Sequence, residues 1–222
     1  MAPWSFHTAG SLIFGRDSVA QLGEVAGRMR AKRAFLVADA VLERVGIVDA
    51  VRKPLAAAGV EVIPWLGGKP EPGIEVVRDA GAAARAAAPD LVVGVGGGSN
   101  MDAAKLVAIL LAHGGDPSDY TGENRLPGPV APLICVPTTA GTGSEVSAAA
   151  VFTDTARQIK VSCLSQHLRP AVAVVDPLLT VGCPRQVTAD SGIDALTHAI
   201  EAFTAVDHAE FLKRPGGASV YQ

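Results

Sequence analysis

Aromatic side chains are scarce in this 222-residue chain, at 5%, and charged residues are few, at 18%. Lys+Arg 19 nearly balance Asp+Glu 22, for a net charge of -3. That leaves no basic footprint for nucleic acid or an anionic membrane, so neither is expected as a partner. Only three cysteines occur, Cys135, Cys163 and Cys183, and none forms a C-x-x-C pair. So sparse a set argues against a disulfide framework or a thiolate zinc site and fits a reducing compartment. No apolar run approaches the ~20 residues of a membrane span. The N-terminal MAPWSFHTAGSLIFGRDS lacks a basic segment followed by an apolar stretch, so the protein is expected in the cytoplasm. What is present is 49% hydrophobic residues, mostly Ala, Val and Leu, with Gly 24 and Pro 15 spread between them. That is the composition of a folded α/β protein and not of a disordered one.

Strand-like and helix-like segments alternate along the chain. Arg33 to Asp39 (RAFLVAD), Val60 to Trp65 (VEVIPW), Asp90 to Val95 (DLVVGV) and Pro132 to Thr139 (PLICVPTT) read as strands. Between them, Ile47 to Ala58, Ile74 to Ala88 and Met101 to His113 carry helical spacing, with Gly59 and Pro89 as stops and Ser99 as an N-cap. The order predicts an open parallel sheet covered on both faces. Ala148 to Asp154 and Gln158 to Cys163 read as a hairpin or two short strands around Thr155-Ala156-Arg157, and Ala171 to Pro177 as a further strand. From Pro184 the pattern turns helical, which puts a domain boundary near Thr180 to Pro184.

Three stretches carry chemistry. In Gly96-Gly97-Gly98-Ser99-Asn100-Met101-Asp102 a strand runs into three glycines and a helix begins at once. Glycines let backbone N–H groups approach an anion, and a helix N-terminus adds partial positive charge and unpaired donors. The turn reads as a phosphate cradle; a tight turn without a ligand has the same appearance. It is neither a Walker loop nor a G-x-G-x-x-G, and Lys105 lies a helical turn inside. The second stretch, Thr138-Thr139-Ala140-Gly141-Thr142-Gly143-Ser144-Glu145, is dense in hydroxyls and places Glu145 where a helix would start. It either lines a polar pocket or forms a capped turn. The third is Asp190 to His198, where Asp194 and His198 share a helical face at i and i+4, with Glu201 a turn further on. Such a pair can ligate a divalent ion or stand at the surface as a simple Asp–His pair. Ile193, Leu196, Ile200 and Phe203 line the other side, which should be core.

Taken together, GGGSNMDAAK, PTTAGTGSE, Lys160 in QIKVS, Asp176-Pro177 and ADSGIDALTHAIEAF make the chain resemble the iron-containing (group III) alcohol dehydrogenases. The resemblance implies a dinucleotide-binding α/β domain over residues 1–182 and, over 183–222, the start of an all-α metal-binding domain that is cut short. It implies NAD and a divalent metal, Fe2+ or Zn2+, as cofactors, a small alcohol or aldehyde as substrate, and a homo-oligomer. Gly96, Gly97, Gly98, Ser99, Asn100, Met101 and Asp102 would hold the pyrophosphate, and Thr138, Thr139, Ala140, Gly141 and Thr142 the adenine and phosphate side. Asp39 matches the acid that accepts from the adenosine ribose and favours NAD over NADP. Lys160 matches the lysine near the nicotinamide ribose, and Asp194 and His198 match the first two metal ligands and act in catalysis through the metal.

The chain departs from the family in places. Glu71-Pro72-Gly73 stands where many relatives have Asn-Pro-Thr, and Ala149 replaces a position that can be polar. The family's other two metal-binding histidines lie well beyond His198, and His208, in AVDHAEF, has a different context. The leading expectation is a metal-dependent, NAD-linked oxidoreductase interconverting an alcohol and an aldehyde or ketone. An NAD-using lyase or synthase of dehydroquinate-synthase type fits PTTAGTGSE and GIDALTHAIEAF less well. A nucleotide-binding fragment without catalysis is the reading from another class.

Overall fold

A computed structural model describes residues 7–205. Six strands form one all-parallel sheet: β1 (Ser11–Phe14), β2 (Arg33–Val37), β3 (Glu61–Trp65), β4 (Leu91–Gly96), β6 (Leu133–Pro137) and β9 (Val172–Val175). Their order is β1-β9-β6-β4-β2-β3, so β4 stands inside the sheet between β6 and β2. The remaining strands, β5 (Gly122–Glu123), β7 (Ala149–Asp154) and β8 (Ile159–Leu164), make a second small sheet in which β7 and β8 form the expected antiparallel hairpin.

Alternation along the central strands explains why two layers of helix are needed. Leu36, Val93, Val95, Ile134 and Val136 enter a core with α1 (Leu22–Arg28) and α3 (Ile47–Ala57). Phe35, Val37, Val92, Leu133 and Cys135 enter another with α4 (Ile74–Ala87) and α5 (Gly98–His113). Each fully buried Val or Leu contributes roughly 1.5–3 kcal/mol relative to exposure, so a strand buried on both faces reads as one continuous apolar run. A third cluster, with Phe152 and Cys163 against Leu106 and Leu110, seats the hairpin on α5.

Some expectations are corrected. Ser99 is not the N-cap: Gly97 is, and α5 already begins at Gly98, because Gly96 turns the chain with φ +138. No helix starts at Glu145. Gly143 takes φ +64, and Ser144 to Val146 close a turn in which the Val146 N–H donates to the Gly143 carbonyl at 3.0 Å. Strand β1, the helix α1 and the short helix α2 (Ala40–Arg44) are additions. The last helix, α6 (Arg185–Thr204), follows the 3-10 turn Pro177–Thr180. Its stripe Ile193, Leu196, Ile200 and Phe203, expected as core, is 52–91% exposed, since none of the described elements packs upon it. No helix among the described residues is long and apolar enough to cross a membrane.

Candidate functional site

The site is built where β4 and β6 end. The Gly96 carbonyl accepts the Thr138 N–H at 3.0 Å, which holds the glycine and threonine loops side by side beyond the sheet. No side chain caps the N-terminus of α5. A Cβ on Gly98 would stand 3.0 Å from the Thr142 methyl, whereas one on Gly97 would have ordinary room, 3.5 Å from Thr139 Oγ1. Gly97 has φ -75 and ψ -176, a conformation open to any residue, so its smallness serves the space in front of it. Thr139 Oγ1 is buried without a hydrogen-bond partner. An uncapped helix N-terminus, a slot kept free of side chains and an orphan hydroxyl fit the diphosphate of a dinucleotide. Ser99, freed from capping, accepts the Glu71 N–H on its Oγ at 3.3 Å.

Two residues of α5 hold this arrangement from beneath. Asp102 accepts the Ser144 hydroxyl on Oδ1 at 2.6 Å and the Val151 N–H on Oδ2 at 3.1 Å, tying the threonine loop and the hairpin to the helix. Lys105 has zero exposure, and its ammonium donates to the Ser147 carbonyl (3.2 Å), the Ser147 hydroxyl (3.0 Å) and the Ala149 carbonyl (2.7 Å), 3.9 Å from Asp102. Burial raises the Asp102 pKa and lowers that of Lys105, and their mutual attraction opposes both shifts.

A cleft of about 430 Å³ opens above, lined by Gly98, Ser99, Asp102 and Thr142 from one side, Glu71 and Lys160 from another, and Asp194 and His198 from α6. The fold thus brings the glycine loop, the lysine and the Asp–His pair to one place, although up to 100 residues separate them in sequence. Gly141 is what lets α6 come near: a Cβ there would fall inside the Ser191 carbonyl oxygen. Lys160 Nζ meets Glu71 Oε1 at 2.6 Å. Both are largely exposed, so the pair contributes little to stability and serves to place the ammonium.

Other expected residues stand elsewhere. Asp39 lies beyond the glycine turn and N-caps α2, with Oδ1 accepting from Val41 N–H (2.8 Å) and Leu42 N–H (3.0 Å). Asn100 and Met101 do not point into the cleft. Met101 is a core residue, fully buried in the layer shared with β2 and β4, and its N–H donates to the Gly97 carbonyl. Asn100 is buried and donates to Asp39 and Val95. Asp176 is structural: it accepts from Val19 N–H at 3.2 Å and Leu178 N–H at 3.0 Å. Sequence reading missed the clamp by Ser144 and Ser147. The i, i+3 spacing of Asp102 and Lys105 was its one local signal.

The metal fits less well. Asp194 Oδ2 and His198 Nδ1 are 3.8 Å apart on the exposed surface of α6. Among the described residues no group of three or more His, Cys, Asp or Glu comes together. Two donors are half of a tetrahedral set. His208 lies outside the described residues.

Residues 9–177 match the family of iron-containing alcohol dehydrogenases. The chain is 37% identical over 201 residues to an NAD-dependent methanol dehydrogenase of Bacillus methanolicus, covering 90% of this chain and 53% of that protein. A crystal structure of 1,3-propanediol oxidoreductase superimposes with a TM-score of 0.87 at 38% identity, over 91% of this chain and 53% of the other. Sulfoacetaldehyde reductase from Bifidobacterium kashiwanohense, solved in complex with NAD+, superimposes with a TM-score of 0.84 at 30% identity, over 91% and 54%. The chain spans about half the length of the curated relatives it matches. By its matched residues and its fold, it belongs to the iron-containing alcohol dehydrogenase family.

Proposed function

We propose that these residues form the dinucleotide-binding part, with the first helix of the metal-binding part, of an NAD-linked oxidoreductase that interconverts a small alcohol and an aldehyde or ketone. The observation that carries this is the single cleft shared by the uncapped N-terminus of α5, Lys160, and the Asp194–His198 pair. Bound NAD would supply the hydride acceptor. The chain's own residues would bind and orient it. The N–H groups of Gly98 and Ser99 and the hydroxyls of Thr139 and Thr142 bind the diphosphate. Lys160 offers its charge to the nicotinamide side, in competition with Glu71. Asp39 accepts from the ribose and disfavours a 2′-phosphate. Asp194 and His198 offer two donors for the iron or zinc of the family, and no catalytic step is assigned to a metal on these two alone. The reading extends to a cytoplasmic homo-oligomer.

Gly97→Val tests the cradle. The backbone conformation at Gly97 suits valine, so the fold should persist while the branched side chain fills the slot before Thr139. NADH affinity, followed by fluorescence titration, should fall about 100-fold, equivalent to roughly 2.7 kcal/mol. An unchanged Kd with an unchanged far-UV spectrum would remove the diphosphate from this loop. The two-donor metal set favours a second reading, nucleotide binding without turnover. Tight NADH binding with no alcohol-dependent NADH formation, even with added Fe2+ or Zn2+, would decide for it.

A further inference from the structure

We propose that Asn100 is a positioning residue for cofactor selection, fixing the Asp39 carboxylate in the orientation that receives the ribose 2′-hydroxyl; this rests on the dinucleotide reading above. Asn100 is 4% exposed, and both N–H bonds of its side-chain amide are spent. One goes to Asp39 Oδ2 at 2.8 Å and the other to the Val95 carbonyl at 3.1 Å, at the end of β4. Two glycines leave the room the amide occupies: a Cβ on Gly96 would fall upon its Nδ2, and one on Gly68 upon its Oδ1.

The bond is not needed to cap α2, because Asp39 already receives the Val41 and Leu42 N–H groups on its other oxygen. What the amide adds is aim. With Oδ1 facing the helix and Oδ2 held by Asn100, the carboxylate plane cannot turn. A carboxylate oxygen offers about two acceptor sites, so Oδ2 keeps one open for a hydroxyl donor. A fixed carboxylate also sets an acceptor, and no donor, against an incoming 2′-phosphate. Through Val95 the amide is anchored to the glycine turn, so the ribose acid and the diphosphate loop keep one spacing. Gly98, Ser99 and Asp102 face the cleft from the same helix turn, whereas Asn100 faces the opposite way.

The test is equilibrium titration of the 222-residue chain, its N100A and N100S variants, D39G, and the double variant N100A/D39G with NADH and with NADPH. The unmodified chain should prefer NADH. N100A should weaken NADH binding about tenfold and NADPH binding much less, so that the preference contracts. N100S, whose hydroxyl is too short to reach Asp39, should do the same and serves if N100A loses its native far-UV spectrum. In the D39G background, N100A should leave the remaining preference unchanged within twofold. A purely structural Asn100 would weaken both cofactors alike, whether or not Asp39 is present, and that result would overturn the proposal. If the unmodified chain binds neither cofactor, the dinucleotide reading falls and this inference with it. If it prefers NADH and both variants keep the same preference, the inference alone is wrong.

Discussion

Lys105→Met is expected to lower the stability of the chain by about 3–5 kcal/mol, the usual cost of removing one partner from a buried, hydrogen-bonded ion pair. Methionine restores the bulk, and its relief of the desolvation that lowers the Lys105 pKa offsets only part of the lost polar contacts. Three acceptors on Ser147 and Ala149 would lose their donor, and Asp102 would be left with a raised cost of ionisation and no cation nearby. Against a total stability of roughly 5–15 kcal/mol, this is enough to move a urea midpoint well outside error. Adding Asp102→Asn should return part of the loss, since it removes the orphaned charge. A midpoint within error of the parent's would mean that solvent or relaxation satisfies those groups, and that Lys105 is no clamp.

Gly141→Ala is expected to detach α6 while sparing the rest. An added Cβ would overlap a backbone carbonyl, that of Ser191, and backbone does not yield as a flexible side chain does. The helix has no buried residue to hold it against that strain, so it would move off as a body. Asp194 and His198 would leave the cleft with it. Amide hydrogen exchange should show α6 protection falling by about tenfold or more, with β4 and β6 unchanged. Unchanged protection in residues 185–204 would show that the threonine loop gives way instead.

The central strands were legible because burial on both faces leaves only apolar residues in LVVGVG and LICVP. Strand β1 was not, because SLIF is short, lies at the sheet edge and leaves Leu12 and Phe14 half or more exposed. Helix α2 depends on a cap by Asp39 and spans five residues, too few to show a period. In the site, the glycine loop and the Asp194–His198 pair declared themselves through local spacing. The bonds that complete it, Lys160 to Glu71 and Asn100 to Asp39, join residues 89 and 61 apart and leave no trace in any short window. Ser99 shows the same limit: serine is a good cap, but the turn at Gly96 places the cap two residues earlier.

The strand order has a consequence for the chain as it leaves the ribosome. Strands β3, β2, β4 and β6 can pair as soon as residues 33–137 have emerged, but β1, made first, touches the sheet only through β9, made last. Until about residue 175 is free, the β6 edge stands open and β1 waits with Ile13, its one core-packed side chain, in water. Closing that loop of about 160 residues is the slow, entropically costly step expected of long-range parallel pairing, and the interval before it is when the nascent chain is most exposed to aggregation.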